Sequence, residues 1–145
     1  MKDGFIKVAA ASPMIKVADT DYNADKVIDC IKKADEKGVK LIVFPELTLT
    51  GCSCYDLFQH RTILKGAEKA LVKVVKATEG MDVMAIVGLP YAAGGMALYS
   101  VAAVIYGGEL LGLVPRTEVG GKKFQSGADG KGFADTKGAI FTSSI

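Results

Sequence analysis

The feature that most constrains this chain is the run Val39-Lys40-Leu41-Ile42-Val43-Phe44, apolar and rich in branched side chains apart from one lysine, and closed by Pro45. So short a run fits a strand covered on both faces, which is how strands sit in layered α/β proteins. Two similar runs flank it, Ile6 to Ala11 and Val83 to Leu89, the latter ending at Pro90. Between them lie two segments with helical spacing. In the first, Ala24, Val27, Ile28, Ile31 and Ala34 recur on one face, with Asn23 as the predicted cap and Gly38 as the stop. In the second, Leu64, Ala67, Leu71, Val74 and Val75 share a face from Ile63 to Glu79, and Gly80 follows. Leu98 to Tyr106 and Glu109 to Val114 read as two further strands around Gly107-Gly108, a pair suited to a tight hairpin turn. The predicted order is β-α-β-α-β-β-β through residue 115, an α/β chain with a mixed sheet and two main helices on one face.

Composition narrows the function classes. The chain has 145 residues, half of them hydrophobic, and a formal net charge of +2. That is enough for one packed domain. Acids and bases are mixed along it, which argues against a nucleic-acid surface, and no apolar run is long enough to span a bilayer. The N-terminus has no signal-peptide pattern, so the expected location is cytoplasmic with reduced thiols. Cys30, Cys52 and Cys54 form an odd set without a disulfide framework.

Glu46, in Phe44-Pro45-Glu46-Leu47, is the residue most suggestive of chemistry. It follows the C-terminal end of a buried strand, the edge at which open α/β sheets bind ligands. A carboxylate there is placed to act as a general base, although an acid at such a position can equally be a loop or capping residue.

The segment Val39 to Gly51 resembles the catalytic-glutamate segment of the nitrilase superfamily of carbon-nitrogen hydrolases. Four further stretches are similar in the same order: Gly4 to Ala11, Ile86 to Pro90, Leu98 to Ala103, and Gly108 to Thr117. The first and last look like the glutaminase region of bacterial glutamine-dependent NAD synthetases. The resemblance covers residues 1–117 and implies half of a nitrilase-type α-β-β-α sandwich, whose second sheet would cover the face opposite the helices. Residues 118–145, rich in Gly, Lys and Ser, form a divergent tail in which Gly138 to Ile145 reads as one more strand.

The resemblance also implies a mechanism. A cysteine thiolate attacks the amide carbon of glutamine and gives a tetrahedral intermediate and then a thioester. A glutamate shuttles the thiol proton to the departing ammonia, and a lysine with a backbone donor stabilises the oxyanion. Glu46 matches the glutamate. Arg116 stands in place of the lysine, a planar fork instead of a compact ammonium. Cys52 stands where a tyrosine lies near the glutamine, and Ser100 replaces an asparagine. The nucleophilic cysteine belongs to a later strand, beyond Ile145, so on this reading the chain is truncated before it and inactive alone. The hydrolase itself needs no cofactor, ATP serving a separate synthetase domain. The expected partners are glutamine or a related small amide and further copies of the chain.

Other residues offer less. Cys52 and Cys54 with His60 fall short of a zinc ligand set and read as loop thiols and a surface or capping histidine. Cys30 reads as core filler, and Ser143 or Ser144 lacks the setting of a nucleophile. Gly94-Gly95 and Gly107-Gly108 read as turns without the context of a phosphate loop. Two alternatives to the glutaminase reading stay open: a non-catalytic remnant or association module of the same fold, favoured by the changes at Cys52, Ser100 and Arg116, and a nitrilase-like amidase with another substrate.

Overall fold

The computed structural model describes residues 4–54, 60–93 and 97–116. Seven elements follow one another: β1 (Val8–Ala10), α1 (Thr20–Glu36), β2 (Leu41–Val43), α2 (Arg61–Ala77), β3 (Met84–Ala93), β4 (Ala97–Tyr106) and β5 (Glu109–Pro115). They build a five-stranded mixed sheet in the order β1-β2-β3-β4-β5, parallel across β1, β2 and β3 and antiparallel from β3 to β5. This is the expected α/β order. The tail beyond Arg116, with its Gly138–Ile145 strand, the Gly94-Gly95 turn and most of the short piece before His60 lie outside the described residues.

Both helices pack on one face of the sheet. Val27, Ile31, Leu71 and Val74 meet Ile42, Val87, Leu89 and Ile105 in a single core, and each of these residues is essentially fully buried. The 3.6-residue period of the helices and the two-residue period of the strands bring those positions together. Gly107 and Gly108 both have positive φ, 58° and 84°, as a two-residue hairpin turn between β4 and β5 requires.

Three local expectations need correction. The first helix starts before Asn23, at Thr20, because Asp19 accepts the Tyr22 amide hydrogen at 3.1 Å and caps it. Asn23 instead lies wholly buried inside the helix. The third strand does not stop at Pro90 but runs on to Ala93. Its β2 neighbour pairs only as far as Ile86, so Pro90, which has no amide hydrogen, meets β4 alone. Finally, β2 is covered on one face, not both: Ile42 is buried while Val43 is 38% exposed.

The uncovered face extends across the sheet. Val8, Val43 and Val114 stand 59%, 38% and 57% exposed there. Leu41, Met84, Ile86, Ala102 and Val104 between them are partly exposed. The two-residue period assigns all of these to the side away from the helices, with Ser100 in the same row of β4.

Candidate active site

Glu46 lies on a tight turn just past β2. Phe44 still donates its amide hydrogen to the Ile86 carbonyl at 2.9 Å, and the chain then leaves the sheet at Pro45. Leu47 takes a left-handed conformation with φ of 55°, unusual for a branched side chain and costing about 1–2 kcal/mol. Several contacts hold it there. Its carbonyl accepts the amide hydrogens of Thr50 at 3.1 Å and Gly51 at 2.7 Å. Its side chain is buried with Cys54 and Ile63, and the Thr48 hydroxyl donates to the Pro45 carbonyl. Strain of this kind concentrates at functional sites.

The turn carries Glu46 over β3, and its carboxylate meets Ser100 of β4 and Arg116 just past β5. Ser100 Oγ donates to Glu46 Oε1 at 2.7 Å. Arg116 NH1 lies 3.1 Å from Oε1 and 3.2 Å from Oε2. Arg116 is itself anchored, its amide hydrogen going to the Ser100 carbonyl at 2.9 Å. The three side chains line one cleft of about 360 Å³, whose walls are otherwise apolar, among them Val43, Ile86, Ala102 and Val114.

Glu46 and Arg116 therefore meet across the cleft. The Glu46 side chain is 43% exposed, because the cleft opens on the uncovered sheet face. One guanidinium nitrogen bridges both carboxylate oxygens. Ser100, noted in the sequence only as a departure, is the shortest contact of the carboxylate.

Cys52 stands at the rim. It is exposed, and its Sγ lies 3.5 Å from the Glu46 backbone carbonyl, not from the carboxylate. Cys54 is buried, donates to the Thr50 carbonyl at 3.1 Å, and has its thiol pKa pushed up by that burial, so it stays a thiol. Cys30 packs against the core. His60 precedes α2 as an exposed capping residue whose side chain caps nothing. Among the described residues no group of three or more His, Cys, Asp or Glu could hold a metal ion, and no helix is long and apolar enough to cross a membrane.

The chain has known counterparts in sequence and in fold. Residues 7–119 match the carbon-nitrogen hydrolase family. The chain belongs to that family. It is 39% identical over 97 residues to a glutamine-dependent NAD(+) synthetase from Aquifex aeolicus, covering 67% of this chain and 17% of that one. The Mycobacterium tuberculosis synthetase is 34% identical over 114 residues, covering 79% of this chain and again 17% of the relative. This carbon-nitrogen hydrolase chain thus spans about 17% of the length of those curated relatives. In fold it matches the synthetase structure from Acinetobacter baumannii at a TM-score of 0.77 and 26% identity, over 84% of this chain and 24% of that one. An amidase from Nesterenkonia sp. matches at 0.69 and 19% identity, over 84% of this chain and 48% of the amidase. The α/β fold is thereby that of nitrilase-superfamily proteins.

Proposed function

We propose that this chain is the acid–base half of a glutamine amide hydrolase module serving NAD synthesis, with Glu46 as the group that moves protons. The observation that carries the reading is the Glu46 carboxylate held across an apolar cleft by Ser100 and Arg116. The relatives named above as glutamine-dependent NAD(+) synthetases supply the substrate class. In the proposed reaction a thiolate attacks the amide carbon, and Arg116 faces the negative charge that develops on oxygen. Glu46 passes the thiol proton to the leaving ammonia, and water then releases glutamate from the thioester. The hydrolysis invokes no cofactor of its own, and ATP belongs to a separate synthetase domain.

The thiol has to come from residues other than those lining the cleft, since none of Cys30, Cys52 and Cys54 is among them. The chain alone is therefore expected to release no ammonia from glutamine. Release that survives replacement of all three cysteines by serine would reveal a nucleophile of another kind and overturn the reading. The positive test is co-expression with the cysteine-bearing remainder of the Aquifex-type glutaminase region, where glutamine-dependent ammonia release is expected to appear.

One observation favours a second reading, a non-catalytic association module. Arg116 and Glu46 neutralise one another, which leaves neither free for a substrate. If so, Arg116→Lys raises no activity in the co-expressed pair. Under the catalytic reading, the compact ammonium frees the carboxylate and ammonia release rises. A small amide other than glutamine is separated from both by competition assays on the same pair.

The cytoplasmic setting and self-association belong to the same proposal. The open apolar sheet face is the surface through which copies meet, since contiguous exposed apolar area of this kind drives association. Sedimentation of the chain is expected to show dimers or larger species that disperse in Val114→Lys. A strictly monomeric chain contradicts this.

A further inference from the structure

The turn that carries Glu46 is held from two sides by residues that touch no part of its carboxylate. Beneath it runs Gly88, in the middle of β3 on the open face and paired with Ala102. A Cβ at Gly88 would stand 2.5 Å from the Leu47 nitrogen, 2.6 Å from the Pro45 carbonyl oxygen and 2.9 Å from the Glu46 Cα. All three are backbone atoms, which cannot swing aside as the end of a flexible side chain can. The Gly88 carbonyl also accepts the Leu49 amide hydrogen at 3.2 Å. Behind the turn stands Asn23, wholly buried in α1. Its Nδ2 donates to the Leu49 carbonyl at 3.1 Å and to the Lys16 carbonyl at 2.8 Å, and its Oδ1 accepts the Lys16 amide hydrogen at 2.8 Å. Both backbone groups of Leu49 are thus taken, the amide by the sheet and the carbonyl by the helix.

We infer that Gly88 and Asn23 are the positioning residues of the Glu46 carboxylate, Gly88 by setting how closely the turn rides over β3 and Asn23 by drawing its far end onto α1. From its seat over Gly88 the carboxylate reaches to the next strand, where it accepts from Ser100 at 2.7 Å. Any side chain at residue 88 lifts the turn off the sheet, and the carboxylate rises with it. Loss of the Asn23 amide frees the Leu49 end and allows the turn to tilt. The inference rests on Glu46 being the acting group, but its test reads geometry and not hydrolysis. An inactive module and a misplaced cause can therefore be told apart.

The test follows the ¹³C resonance of the Glu46 side-chain carboxyl in the full chain, assigned by its loss in Glu46→Gln. In the unaltered protein it is expected to shift in Ser100→Ala and again in Arg116→Ala. In Gly88→Ala, and in Asn23→Ser, it is expected to move to the position found when both partners are removed. It should then respond no further to those substitutions, while circular dichroism shows the helices and sheet intact. A merely structural role would lower the thermal midpoint and leave the response in place. A folded Gly88→Ala chain, or a folded Asn23→Ser chain, that keeps the full response overturns the inference. Should neither variant fold, amide exchange in the unaltered protein decides. The Leu49 amide is expected to be protected like those inside β3, and exchange as fast as in an exposed loop overturns the inference.

Discussion

Each end of the sheet carries an exposed carboxylate held by one cation and one hydroxyl, and only one of the two stands in a cleft. At the end where β2 finishes, Glu46 meets Arg116 and Ser100. At the other end, Asp82 meets the Lys40 ammonium, and the Tyr106 hydroxyl donates to it at 2.8 Å. By inventory the two sites match. Their settings do not. Asp82 lies on the connection into β3 and is 67% exposed, and the ion pair ties the start of β2 to that connection. Glu46 lies on a strained turn that crosses over a glycine, between apolar walls, with its backbone fastened to both helix and sheet. A charge pair therefore says little about function, whereas a chain bent out of its way to place one says much more.

Substitutions at the two ends should sharpen that contrast. The largest effect on stability belongs to Asn23→Ala. It leaves the buried Leu49 carbonyl and the part-buried Lys16 amide without their partners, while the Lys16 carbonyl keeps the Asp19 amide hydrogen at 3.2 Å, at a cost on the order of 1–3 kcal/mol. Urea unfolding checks it, and a loss no larger than that of an ordinary surface change would mean the turn is not fastened there. Next comes Ser100→Ala, which removes one hydrogen bond to a half-exposed carboxylate and is expected to cost about 0.5–1 kcal/mol.

The smallest effect belongs to Asp82→Asn, visible mainly in how stability depends on pH. The hydrogen bond from Lys40 holds the Asp82 carboxyl below its usual range, so its contribution is present above the ordinary carboxylate pKa and is lost as pH falls through the lowered value. On the alkaline side, the bond to Asp82 raises Lys40, and Asp82 raises Tyr106. Their contributions are present below the ordinary lysine and tyrosine values and fade as pH rises through the raised ones. Asp82→Asn should therefore lower the neutral plateau slightly and flatten both limbs. All three groups are exposed, and salt should shrink the effect further.

Much of this architecture is legible in the sequence, because apolar periodicity reports which way a side chain faces. The two helices, five strands and the Gly107-Gly108 hairpin follow from it. Glu46 is legible for a related reason, since a proline and an acid closing a β-branched run place a carboxylate at the sheet edge. Arg116 is legible only through resemblance. Asn23 reads as a cap in the sequence, but Asp19, four positions earlier, has the same capping chemistry, and only the fold shows which of them faces inward. Gly88 shows in the sequence only as a glycine inside a strand pattern, which signals close approach without naming a partner. Its role is created by a turn more than forty residues away in sequence, and close approach of two backbones is a tertiary fact. The open sheet face is legible only through the resemblance to half of a sandwich, since an apolar run reads the same whether one of its faces or both are covered.

The central claim is that the cleft, not the charge pair, makes Glu46 the acting group. The most direct measurement compares Glu46→Gln with Asp82→Asn in the co-expressed glutaminase pair, following ammonia release from glutamine. Removal of a general acid–base group is expected to slow release by about 100-fold or more in Glu46→Gln, with Asp82→Asn unchanged. Equal rates in the two variants, or a Glu46→Gln variant as fast as the unaltered protein, would contradict the account.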